Sequence, residues 1–178
     1  MSTTVMKRPG RQQPVTPLGA LVRGLLAGGG GTAVMTAYQT LVQGGERGGA
    51  EPESEVERWQ QAPAPAKVAK RILEGVFGAD VPAEKIPLLT QAMHWLYGSA
   101  LGGVYGLVQG TIRANTVAAG LGFGAGAWAL SYAQLVPMGI YEPPWRYPAR
   151  TLGVDLSYHL VYGVGVAASY EAIGRFGP

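Results

Sequence analysis

The chain has no cysteine, so disulfide frameworks, thiolate metal ligands and cysteine nucleophiles are all excluded, and cysteine usage says nothing about redox compartment. Charge is missing over three long stretches: Gly24 to Gly45 (22 residues), Ile86 to Ile112 (27) and Ala114 to Tyr141 (28) hold no Lys, Arg, Asp or Glu. A bilayer core about 30 Å thick requires roughly 20 predominantly apolar residues per helix, and each stretch reaches that length. Histidine is nearly absent too, which confines imidazole chemistry to His94 and His159. No nucleophile stands beside a usable base, and no phosphate-cradling loop or repeated carboxylate pair occurs, so the sequence predicts a protein without catalytic activity.

What is present is glycine, 28 residues of it in 178. Because glycine is only weakly hydrophobic, and because residues 46–85 hold eight acidic and six basic residues, the mean hydropathy of +0.11 averages apolar spans with a polar loop. The net charge of +3 and pI near 9.3 would hint at nucleic acid in a soluble protein. Here the bases fall at the edges of uncharged segments, as at membrane boundaries, and no nucleic-acid partner is expected.

These patterns predict an all-α protein: a polytopic membrane four-helix bundle over residues 17–176 behind a disordered basic tail over residues 1–16. The spans are placed at about 18–42, 86–109, 116–136 and 152–170, with a loop over 43–85. Arg23 lies one turn into the first span, where a long side chain can snorkel to the interface. The basic N-terminus also fits a secretory signal, but the apolar segment from Leu18 to Val42 is too long for its hydrophobic core. Gly44 to Ala66 reads as loop. Lys67, Lys70, Arg71 and Glu74 then recur at helical spacing, with Val68, Ile72, Leu73, Val76 and Phe77 on the other side, giving an amphipathic helix over 66–77 closed by Gly78. It either lies in the headgroup region or caps the loop against the bundle.

A weak repeat organises the spans. His94-Trp95-Leu96-Tyr97-Gly98 matches His159-Leu160-Val161-Tyr162-Gly163, and Tyr38, Leu41 and Val42 match Tyr132, Leu135 and Val136, a pattern compatible with two tandem helical hairpins. The two sides of the membrane would carry six and eight bases, which sets no orientation.

Gly98, Gly102, Gly106 and Gly110 recur every four residues, a smooth ridge that allows close helix packing within the bundle or between copies. Gly24 with Gly28, and Gly120 with Gly124, do the same on the first and third spans. The run Gly120-Leu121-Gly122-Phe123-Gly124-Ala125 matches a dinucleotide fingerprint in letters, but it lies inside an uncharged span with no strand before it and is rejected. Asp155 and His159 sit one turn apart on one helical face, with Tyr162 extending the stripe and His94 at matched depth in the second span. Ionisable groups at such depth are costly and face the bundle interior. The cluster of His94, Tyr97, Asp155, His159 and Tyr162 has three readings: a structural polar network in which Asp155 fixes the His159 tautomer, a proton or ion path, or metal or haem ligation by the two histidines with Asp155. No close metal-ligand spacing supports the third, and no cofactor is expected. Trp145, Tyr141 and Tyr147 around Pro143-Pro144 suit an aromatic belt at the headgroups, or a lid over the bundle mouth.

Pro137-Met138-Gly139-Ile140, Pro143-Pro144-Trp145 and Asp155 with His159-Leu160-Val161 resemble the third loop and last span of the YagU-type small bacterial inner-membrane proteins. The second span, His94 to Tyr105, is similar in its histidine-led opening and later tyrosine, whereas the first loop differs. The resemblance implies a multi-pass protein of the inner (cytoplasmic) membrane with an acidic residue four before a histidine, carried here by Asp155 and His159. It implies no defined reaction. The expected role is a packing, accessory or self-associating module, with membrane lipid, a homo-oligomer or an inner-membrane complex as partner. Proton or ion translocation is the alternative, and metal or haem binding a third.

Overall fold

The computed structural model describes residues 16–44, 54–111 and 114–176, and the basic tail expected over 1–16 lies, but for residue 16, outside them. Among the described residues all regular structure is helical: α1 Pro17–Gln43, α2 Glu55–Gln61, α3 Ala64–Phe77, α4 Ile86–Val108, α5 Thr116–Leu135 and α6 Ala149–Phe176, with short 3-10 turns between. Local chemistry places the ends. Thr16 accepts from the Gly19 amide (3.1 Å) ahead of Pro17, and Asn115 accepts from the Ala118 amide (2.8 Å), each side chain satisfying a first-turn N–H. Gly78 closes α3 in the left-handed conformation (φ 61°), its amide bonding back to Glu74 and the next amide to Leu73.

The described residues of the segment read as loop from Gly44 to Ala66 include the start of α3 and a helix, α2. Ser54 and Glu57 form a reciprocal capping box at its start, the signal that a search for long apolar runs passes over. The amphipathic helix α3 begins two residues earlier than expected. It packs against α4, with Ala66 and Leu73 in a small cluster with Trp59, Val81 and Ala83 and with Ala69 buried, whereas Ile72, Val76 and Phe77 stay exposed. Alanines thus make its buried face, because they admit a close helix approach that the larger side chains prevent.

Helices α1, α4, α5 and α6 form an up-down-up-down bundle. The α1/α4, α1/α6 and α5/α6 pairs are intimate, and α6 sits between α1 and α5. Glycine makes this packing. A Cβ on Gly106 would lie 2.9 Å from the Gly24 Cα, and one on Gly28 would lie 2.8 Å from the Ser99 Cα. On the other hairpin, a Cβ on Gly120 would lie 2.7 Å from the Val164 Cα, and one on Gly163 equally close to the Gly124 Cα. The ridge of Gly98, Gly102 and Gly106 is therefore consumed inside the bundle by α1, while Gly110 lies beyond the end of α4 with nothing near it.

Between α4 and α5, and across the α4/α6 diagonal, the gap is wider and aromatic rings fill it. Tyr105, 1% exposed, packs against Phe123 (4.9 Å between centroids) and Tyr170 (5.7 Å). The Tyr162 hydroxyl donates to the Gly98 carbonyl at 2.7 Å, and eight residues on the Tyr170 hydroxyl approaches the Gly106 carbonyl at 3.4 Å. Matching steps along both helices mean that α4 and α6 run parallel, the arrangement the tandem-hairpin reading requires. The repeat is not matched in detail, since Tyr38 stacks edge-on against Tyr158 and Tyr132 packs with Trp128, Tyr141 and Tyr147.

Large aliphatic residues point outward. Leu26 is 61% exposed, Leu41 82% and Leu96 67%, and Val34, Val104, Leu107, Val117 and Leu121 are exposed with them, while the buried positions of the long helices are largely Gly, Ala, Thr, Ser and Tyr. By length and apolarity together, one helix among the described residues can cross a membrane: α1, with mean hydropathy 1.3 over its best window, a third of which is buried.

Arg23 turns toward α6, donating to the Tyr170 carbonyl at 2.6 Å with its guanidinium over the Tyr170 ring. A cation is thereby set against carbonyls near the C-terminal end of α6, where the helix dipole favours it.

A substitution separates the two kinds of glycine. Gly102→Ala should destabilise the bundle by about 3 kcal/mol or more, since the new methyl meets the backbone of α1 and neither helix can yield by a rotamer change. Gly122→Ala, with nothing within 4 Å, should be neutral or slightly stabilising. Reversible unfolding of both variants in detergent measures the difference, and equal effects would refute this packing.

Candidate functional site

The intramembrane polar cluster predicted from sequence is divided by the fold. His94 and Tyr97 on α4, and His159 and Tyr162 on α6, line a cavity of about 70 Å³ inside the bundle, together with Thr32 and Met35 of α1, Gly98, Leu101 and Ala127. The two histidines therefore share one small chamber. Its volume admits an ion or a few waters, a water needing about 10–15 Å³ by this measure. A haem, whose macrocycle needs a pocket of several hundred cubic ångströms, does not fit.

Asp155 is not in that chamber. Its Oδ2 accepts from Trp128 Nε1 at 2.9 Å and from the Tyr132 hydroxyl at 3.2 Å, both on α5. The nearest approach of its carboxylate to His159 is 3.8 Å, Oδ1 to Nδ1, too long for a hydrogen bond. The backbone carbonyl of Asp155 takes the role the side chain was expected to play. It lies 2.9 Å from His159 Nδ1, and since a carbonyl only accepts, Nδ1 carries the proton and, in the neutral ring, Nε2 keeps the lone pair.

His94 has a looser tether. Its Nε2 is 3.5 Å from Thr36 Oγ1, while the Thr36 hydroxyl donates to the Thr32 carbonyl at 2.8 Å, and the Thr32 hydroxyl in turn to the Gly28 carbonyl at 2.9 Å. Each tyrosine hydroxyl has a partner: Tyr97 donates to Gln134 Oε1 at 2.7 Å, and Tyr162 to the Gly98 carbonyl. Thr32, Met35, Thr36, Trp128 and Gln134 complete the arrangement and were not foreseen. The only sequence signal for the threonines is their four-residue spacing on the face of α1 that also carries Gly24 and Gly28.

At the end of the bundle near Asp155, Tyr132 packs against Tyr141 and Tyr147 from the loop that follows α5. Burial pushes the Tyr141 phenol up to about 12, with the Asp155 charge acting the same way, so this phenol stays neutral through the physiological range. Arg71 of α3 donates to the Met138 carbonyl, and Lys70 lies over the Trp59 ring, so the first loop is fastened to this end. Trp145, 83% exposed, stands outside the aromatic group. Among the described residues no group of three or more His, Asp or Glu is gathered in one place. Neither a family model, nor a curated protein, nor a solved structure matches the chain.

Because two donors converge on one carboxylate, Asp155→Ala should cost about 2–3 kcal/mol of stability, the range for losing hydrogen bonds to a charged group, and Asp155→Asn less. Tryptophan fluorescence of the variants should shift as the Trp128 N–H loses its partner. An unchanged spectrum and melting temperature would contradict the assigned contacts.

Proposed function

We propose that this chain is a four-span integral membrane protein, with α1, α4, α5 and α6 crossing the bilayer, and that it serves as a packing or self-associating module rather than as an enzyme. The observation that carries the reading is where the aliphatic side chains lie: leucine and most valines point outward, while the buried positions are largely glycine, alanine, threonine and tyrosine, with Val166 among them. In water the hydrophobic effect would drive those leucines inward. In lipid no such force acts, helices associate through close van der Waals packing, and small residues collect at the contacts. The four helices hold 27, 23, 20 and 28 residues, enough at about 1.5 Å each to cover a core of about 30 Å.

For self-association the favoured surface is on α5. Ala118, Gly122, Gly126, Ala129 and Ala133 share one exposed face, and a Cβ on either glycine would meet nothing within 4 Å. The Gly98–Gly106 ridge is occupied by α1, so this second small-residue face is the one left for another span. Exposed Ile72, Val76 and Phe77 of α3, with Trp145, suit the headgroup boundary, where an amphipathic helix and a Trp both settle. An inner-membrane location follows from the resemblance to YagU-type proteins and stands or falls with it.

Translocation of protons or ions is the lesser reading. The polar groups resolve into short separate contacts that end on backbone carbonyls or pair locally, as in His94–Thr36–Thr32, Tyr97–Gln134, Tyr162–Gly98 and His159–Asp155. No continuous chain links them to both ends of the bundle among the described residues. Such closed pairs suit a structural role better than a relay.

Two measurements test the proposal. After expression the chain should stay with the membrane through alkaline carbonate and require detergent for release; recovery in the aqueous phase would end the membrane reading. In bilayers, Gly126→Leu should weaken self-association at least about tenfold, as loss of a small-residue contact does, while leaving helix content unchanged. Association that survives both Gly122→Leu and Gly126→Leu would remove α5 as the contact.

A further inference from the structure

We propose that the chamber between α1, α4 and α6 is a binding site for a soft monovalent metal ion, Cu(I), held by His94, His159 and Met35. Three observations converge. The two imidazoles and the Met35 side chain come from three different helices and line one cavity of about 70 Å³, the scale of an ion rather than of an organic ligand. His159 is arranged as metal-binding histidines are, with one ring nitrogen anchored through its proton to a backbone carbonyl, here Asp155 at 2.9 Å, and the other nitrogen left as a donor. The remaining polar groups of the chamber are spoken for: Tyr162 is committed to the Gly98 carbonyl, Tyr97 to Gln134 and Thr32 to the Gly28 carbonyl. Among the lining residues, the two imidazoles and the Met35 thioether are the nitrogen and soft sulfur donors.

Charge selects the metal. No carboxylate lines the chamber, and the nearest one, Asp155, is held by Trp128 and Tyr132 on α5. A divalent ion would bring two positive charges into a low-dielectric interior beside a single compensating carboxylate, a penalty of the kind that keeps unpaired charges out of protein cores. A monovalent ion brings half that charge. Among first-row metals, thioether and imidazole ligands without hard oxygen donors favour Cu(I) over Zn(II), Mg(II) or Mn(II), and Cu(I) accepts the low coordination number that three ligands provide. The inference does not depend on lipid around the bundle, because the chamber is built from contacts between the helices themselves.

The test is anaerobic titration of the purified full chain, in detergent with ascorbate, with Cu(I) against a chromophoric Cu(I) chelator, alongside Zn(II) titrations. The expected result is one Cu(I) per chain, with Met35→Leu weakening binding at least about tenfold and His159→Gln more strongly, since removing a direct ligand costs more than the 10–100-fold typical of its supporting groups. Met35→Leu conserves volume, so its fold should survive, and unchanged helix content checks this. Cu(I) should also raise the melting temperature of the parent protein, and of Gly122→Ala, while leaving that of His159→Gln unmoved. Absence of stoichiometric Cu(I), Zn(II) binding as tight as Cu(I), or Cu(I) affinity indifferent to Met35→Leu would each overturn the assignment.

Discussion

Everything in this bundle depends on backbone meeting backbone at glycine. Gly24 and Gly28 of α1 lie against Gly98, Gly102 and Gly106 of α4, and Gly120 and Gly124 of α5 lie against Gly163 of α6, at separations where a single methyl has no room. The gain is dispersion contact over the whole length of each pair, individually weak and collectively large. Glycine is the poorest helix former after proline, so a helix that collects it this heavily gives up local propensity for fit with its neighbour. The aromatic residues do the complementary task. Where glycine draws α1 against α4 and α5 against α6, Tyr105, Phe123, Tyr162 and Tyr170 hold α4 away from α5 and α6, and the chamber of His94 and His159 exists because that side stays wide.

Much of the architecture was legible before any coordinates. The gaps in charge from Gly24, Ile86 and Ala114 overlap α1, α4 and α5 with ends that differ by up to seven residues, since α1 starts at Pro17 and holds Arg23. Thr16 and Asn115 mark helix starts in the usual way. Helix α2 was hidden because seven residues show too few turns for periodicity to emerge. The buried positions of α3 are Ala66 and Ala69, small residues that a pattern of large apolar side chains does not single out.

The polar groups show the limit more sharply. Spacing along one helix put Asp155 and His159 on one face, and they are neighbours, but spacing says nothing about what a second helix offers. Trp128 and Tyr132 of α5 claim the carboxylate, and His159 takes the carbonyl instead. The presence of Thr36 and Met35 near the histidines depends on the angular setting of α1, which Gly24, Gly28 and Gly31 determine through contacts with α4 and α6. Gly110 belongs to the ridge in letters alone, since α4 has already ended at Val108.

The paired tyrosines of α6 have a mechanical corollary. Tyr162 and Tyr170 reach the carbonyls of Gly98 and Gly106 with the same eight-residue step, like two rungs fixed between parallel rails. Sliding α6 along α4 by any fraction of a turn would strain both rungs at once. Piston-like travel of α6 against α4 is thereby opposed at the core of the molecule.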